Sequence, residues 1–77
     1  MCGIVGINST KPVTGVILSS LKKLEYRGYD SAGVATLKDG FINETKCEGR
    51  VENLENIISK NKNDGPIGIG HVRWATH

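Results

Sequence analysis

Cysteine is scarce in this 77-residue chain, with only Cys2 and Cys47 present. A small disulfide-stapled domain normally carries more, so both read as reduced thiols of a cytoplasmic protein. No apolar stretch approaches the ~20 residues that a membrane-spanning helix needs. The start also lacks the basic region and long apolar run of a secretory signal. Asn8-Ser9-Thr10 and Asn43-Glu44-Thr45 fit the N-glycosylation pattern, which matters only in a secreted protein. Aromatic residues are few: Tyr26, Tyr29, Phe41 and Trp74. Net charge is only +2, and the basic residues are scattered, with Lys22-Lys23 the one adjacent pair. That excludes a basic stripe or a base-stacking platform for nucleic acid. Gly65, Gly68 and Gly70 do not form a dinucleotide fingerprint, and no Walker pattern occurs, so a phosphate loop is excluded. His71, His77 and the two cysteines follow no standard metal-ligand spacing.

Glycine is plentiful, with ten residues, and points to tight turns and close backbone approaches. A chain this short buries only roughly 60% of its unfolded surface. Cys2 to Ile7 is a short apolar run that reads as a buried strand. Pro12 suits the first turn of a helix. Val13, Val16, Ile17, Leu21 and Leu24 follow at helical spacing, and Lys22 and Lys23 favour the last turn. Residues 27–31 read as a loop. Gly33 to Lys38 and Phe41 to Lys46 flank Asp39-Gly40, a strong two-residue hairpin signal. Val51 to Lys60 is a second helix, with Val51, Leu54, Ile57 and Ile58 on one face and Pro66 as its stop. Ile67 to Trp74 is a final strand. The order strand–helix–hairpin–helix–strand predicts an α+β, layered architecture. The chain ends directly after this strand, which suggests a fragment of a longer protein.

Two residues stand out chemically. Removal of Met1 would leave Cys2 with a free α-amine, whose reference pKa is about 7.7–8.0. Such an amine can act as a base near neutral pH. A thiol, with a reference pKa of about 8.5, needs modest activation to become a nucleophile. Gly3 would let the backbone come close to a substrate. The plainer reading of Cys2 is a small residue starting a strand. Arg73 has a planar fork suited to a carboxylate held by two parallel bonds. The plainer reading is a surface ion pair. Trp74 can wall a pocket or fill a core.

Three segments carry a family resemblance. Met1-Cys2-Gly3-Ile4-Val5-Gly6 resembles the start of class II glutamine amidotransferases. Leu24-Glu25-Tyr26-Arg27-Gly28-Tyr29-Asp30-Ser31-Ala32-Gly33 resembles a loop of glucosamine-6-phosphate synthases. Gly70-His71-Val72-Arg73-Trp74-Ala75-Thr76-His77 resembles their substrate-carboxylate segment. Amidophosphoribosyltransferases, the runner-up, start alike. They typically have His-Arg-Gly-Gln-Asp in place of residues 26–30 and Arg-Tyr-Ser-Thr in place of residues 73–76.

The resemblance implies an αββα sandwich of the N-terminal nucleophile hydrolase type, of which residues 1–77 cover the first part of the glutaminase domain. It implies that Cys2 attacks the glutamine side-chain amide and that Arg73 clamps the α-carboxylate, with Thr76 and His77 nearby. Trp74 would help gate ammonia, and the Arg27 to Tyr29 loop would help position the Cys2 amine. The implied partners are glutamine and, through an isomerase domain beyond this chain, fructose 6-phosphate. The full-length enzyme would be a homodimer without metal or organic cofactor, nucleic acid or membrane. The family's oxyanion-hole Asn-Gly pair and the acid holding the substrate amine would lie beyond His77. The isolated segment is therefore expected to be inactive and poorly folded.

Overall fold

A computed structural model describes residues 2–25, 30–60 and 63–74, with Cys2 described by its backbone. Six elements follow in chain order: β1 (Cys2–Asn8), α1 (Thr14–Leu24), β2 (Ser31–Lys38), β3 (Phe41–Glu48), α2 (Val51–Lys60) and β4 (Ile67–Arg73). The four strands form one antiparallel sheet in the order β1-β4-β2-β3. Among the described residues, the expected α+β class and the order of elements hold.

The connections explain the order. α1 carries the chain from β1 to β2, two parallel strands with β4 inserted between them. α2 does the same from β3 to β4, with β2 between. Only β2 and β3 are joined directly. Their turn, Asp39-Gly40, has positive φ at both positions, 52° and 81°, as a two-residue hairpin requires.

Strand residues alternate between faces. One face carries Val5, Ile7, Ala32, Val34 and Val72, and both helices cover it. Ile17, Leu18 and Leu21 from α1 and Val51 and Leu54 from α2 complete the core. β4 presents Gly68 and Gly70 to this layer, so α1 lies directly on the sheet backbone. A Cβ at Gly68 would stand 2.9 Å from Ile17 Cδ1 and 3.0 Å from Val13 Cγ2.

Several local expectations are corrected. Val16 is 58% exposed, and Leu18 takes its place in the buried stripe. Residue 16 sits about 100° around the helix from Ile17, off the contact line. Pro12 lies before the helix rather than in its first turn. Entry is set instead by a distant segment: Val13 N–H donates to the Gly65 carbonyl (2.9 Å) and Thr14 N–H to Asp64 Oδ1 (3.3 Å). β2 begins at Ser31, inside the stretch read as loop, because Ser31 pairs with both Arg73 and Glu48. α2, by contrast, spans Val51–Lys60 as expected, and the Pro66 carbonyl accepts the Ser9 N–H.

Asn63 is the polar centre of the core and is 1% exposed. Its Oδ1 accepts from the Thr36 hydroxyl (2.6 Å), and its Nδ2 donates to the Val34 carbonyl (3.1 Å) and to Thr45 Oγ1 (3.0 Å). Its own carbonyl accepts from Thr14 Oγ1 (2.5 Å). One side chain thus joins the segment before β4 to β2 and β3. Asn63→Leu would keep the branched outline, add bulk and strand the Thr36 hydroxyl and the Val34 carbonyl. The expected loss is about 3 kcal/mol, measured as a shift in the urea midpoint of the full-length protein.

Candidate active site

The motif residues come together through strand pairing. β4 separates β1 from β2, so Cys2 pairs with Arg73 and Arg73 pairs with Ser31. Ser31 in turn pairs with Glu48. One row of the sheet therefore reads Cys2, Arg73, Ser31, Glu48, and all four belong to the face away from the helices. The next row of that face reads Ile4, His71, Gly33, Lys46. The His71 ring lies against Gly33, where a Cβ would meet Nε2 at 2.6 Å. A side chain at position 33 would displace the imidazole above it.

Arg73 is 66% exposed, and its Nε stands 3.7 Å from Asp30 Oδ2. The surface ion pair weighed from the sequence is present. It does not consume the side chain, because a guanidinium has five donors in a fixed fork. Asp30 is held by its backbone: its carbonyl accepts the Gly49 N–H at 2.8 Å. Gly49 has a φ of 91°, in the region that favours glycine.

Trp74 turns to the other side. It packs against the helix-covered core, and its Nε1 donates to the Leu24 carbonyl at the end of α1 (3.0 Å). Gly3 also belongs to the helix face, with a Cβ there falling 2.8 Å from Leu24 Cδ1. The close approach seen at Gly3 is to the Leu24 side chain of α1. Glu25, next along, reaches α2 and accepts the Val51 N–H at 3.0 Å. The C-terminal end of α1 is thus fastened to Trp74 and to α2. Arg27, Tyr29, Thr76 and His77 lie outside the described residues.

A cavity of about 260 Å3 at this end of β2 and β3 is lined by Ser31, Lys46, Glu48 and His71 among others. A larger one, about 800 Å3, opens at the opposite end of the sheet beside Thr10, Lys38, Asp39 and Asp64. None of the candidate site residues lines it. Among the described residues, no three His, Cys, Asp or Glu side chains gather into a metal-binding group. No described helix is long and apolar enough to cross a membrane.

Sequence reasoning missed Asp30 and Ser31 as members of this group. Their place beside Arg73 depends on β4 entering between β1 and β2, which no local pattern encodes. A signal existed in Ser31, a β-compatible residue directly preceding the apolar run that became β2.

No family model matches the chain. Curated relatives match it from end to end. The chain is 60% identical over 77 residues to a glutamine–fructose-6-phosphate aminotransferase (isomerizing) of Clostridium acetobutylicum. It is 56% identical to the enzyme of that name from Clostridium perfringens and 53% identical to that from Agrobacterium fabrum. Over its whole length the chain is similar to these aminotransferases. In each comparison all of this chain is matched, and it spans 13% of the relative's length. The segments Cys2 to Gly6, Leu24 to Gly33 and Gly70 to His77 all fall within the region shared with the aminotransferases.

Proposed function

We propose that this chain is the glutamine-hydrolysing end of an aminotransferase that makes glucosamine 6-phosphate and glutamate from fructose 6-phosphate and glutamine. The observation that carries the reading is the row Cys2–Arg73–Ser31, which joins three separated motifs at one end of one sheet face. The relatives' names, which include glutamine and fructose 6-phosphate, support the substrates.

In the proposed chemistry, loss of Met1 frees the Cys2 amine, and this amine takes the thiol proton. The thiolate attacks the glutamine amide carbon, forming a C–S bond and a tetrahedral intermediate. The C–N bond then breaks as the amine returns the proton, and ammonia leaves. Water attacks the resulting thioester, giving glutamate and the free thiol. Arg73 holds the glutamine α-carboxylate through its guanidinium fork. By the family resemblance, Thr76 and His77 assist in binding glutamine, Trp74 helps gate ammonia, and Arg27 and Tyr29 position the amine.

We further assign residues 1–77 to the first part of an αββα sandwich of the N-terminal nucleophile type. The support is the sheet face opposite the helices, where Ile4, Leu37, Ile42, Ile67 and Ile69 stand exposed, Ile4 at 75% and Ile42 at 73%. A sheet with one solvated face carries polar residues there. Five large aliphatics on it fit a second layer from elsewhere in a longer chain. The dimer and the cytoplasmic location belong to the same proposal.

The test uses the full-length protein with an electrophilic glutamine analogue. The expected result is stoichiometric labelling of a peptide beginning at Cys2, with loss of glutamate release, and glucosamine 6-phosphate as the product from unlabelled enzyme. Label on Cys47 alone, or full turnover after labelling, would sink the reading in favour of a non-catalytic remnant. Glutamate release with amination of a phosphoribosyl acceptor would favour the other amidotransferase class.

A further inference from the structure

We infer that Asp30 is a positioning residue for Arg73, fixing which edge of the guanidinium is offered to the substrate carboxylate. This rests on the proposed role of Arg73 and extends it. A guanidinium has two carboxylate-binding edges, one formed by Nε–H with a neighbouring Nη–H and one by the paired Nη ends. Asp30 Oδ2 stands 3.7 Å from Nε. It stands at ion-pair distance from the first edge, and among the described residues nothing bonds the second, which can take two parallel bonds.

The tether has a reason to exist. Arg73 sits at the last residue of β4, and its side chain is 66% exposed. A long, exposed side chain on a strand end samples many rotamers, and ordering it at the moment of binding weakens affinity. Asp30 is suited to hold it because its own backbone is fixed from two sides. The Gly49 N–H donates to its carbonyl, and Ser31, the next residue, pairs with Arg73 itself. The turn after β3 thereby sets the carboxylate that sets the arginine. A second anion beside the guanidinium also lowers its pull on the substrate. Exposed pairs are strongly screened, so the orientational gain decides the sign.

In the full-length protein, Asp30→Ala is expected to raise the glutamine KM about fivefold while kcat moves less than about twofold. Asp30→Asn keeps an acceptor oxygen and recovers part of the loss. The decisive comparison uses glutaminol, in which CH2OH replaces the α-carboxylate. With that substrate Asp30→Ala changes kcat/KM by less than about twofold, because no carboxylate is left to orient for. An equal loss on both substrates marks a structural role and overturns the inference, as does an unchanged or lowered KM for glutamine. Arg73→Ala keeps the two claims apart. If it raises KM and Asp30→Ala does not, the inference alone fails; if neither raises it, the carboxylate clamp fails as well.

Discussion

Replacing Cys2 with alanine is expected to lower glutamine-dependent glutamate release in the full-length protein by roughly 10³-fold or more. Removing a covalent nucleophile deletes the only path that divides amide hydrolysis into two easier steps, and measured losses of this kind reach about 10⁶. Cys2→Ser tests the same point more narrowly. Serine nearly preserves the shape, but its hydroxyl is far less acidic than a thiol, so the α-amine generates little nucleophile. It should lose nearly as much activity as alanine. Both variants should melt with the parent protein, since the row Cys2–Arg73 is built by backbone pairing that either residue can make. The measurement is initial-rate glutamate release at saturating glutamine. Turnover within tenfold of the parent would remove Cys2 from the chemistry and leave the remnant reading standing.

The second large effect concerns folding. Gly70→Ala is expected to destabilise this part of the full-length protein by about 3 kcal/mol, near the upper end of the usual range for overpacking. A Cβ at Gly70 would run into Cγ2 of Ile17 and would come within 3.2 Å of Leu21 Cδ1. Ile17 and Leu21 are fully buried. Ile17 is β-branched and lies within α1, where one χ1 rotamer dominates, so it resists swinging aside. Relief would require α1 to rise from the sheet, uncovering Val34 and Val72 beneath it. Urea unfolding with far-UV detection measures the shift. An unchanged midpoint would mean that α1 does not rest on β4 as described. Gly6→Ala provides the contrast, since a Cβ there meets only Ile69 Cγ2 at 3.9 Å.

These two expectations come from different levels of the molecule. The expectation for Cys2 rests on the order of residues and on the family resemblance they carry. The expectation for Gly70 does not. A glycine in a strand weakens a sequence-based assignment, and its benefit appears only once the helix that fills its missing side chain is known. Gly3 shows the same limit, since its contact with the Leu24 side chain appears only in the fold. The two helix N-termini repeat the lesson. Asp64 reaches the start of α1 and Glu25 the start of α2, each from far away in the chain, so local capping rules pointed to neither.

By itself the sequence determined the six elements, the hairpin at Asp39-Gly40 and most of the buried helical stripes. These follow from periodicity and turn chemistry, which act over a few residues. It also carried the family likeness, because the motif residues are side chains of fixed identity in a fixed order. The tertiary structure alone decided that β4 enters between β1 and β2. That choice puts Arg73 beside both Cys2 and Ser31, brings Asp30 to the arginine, and separates Trp74 onto the opposite face. The physical reason is that strand partnership is a long-range choice. A period of two states which side of a strand is apolar, but only the packing of α1 and α2 across one face selects the neighbours.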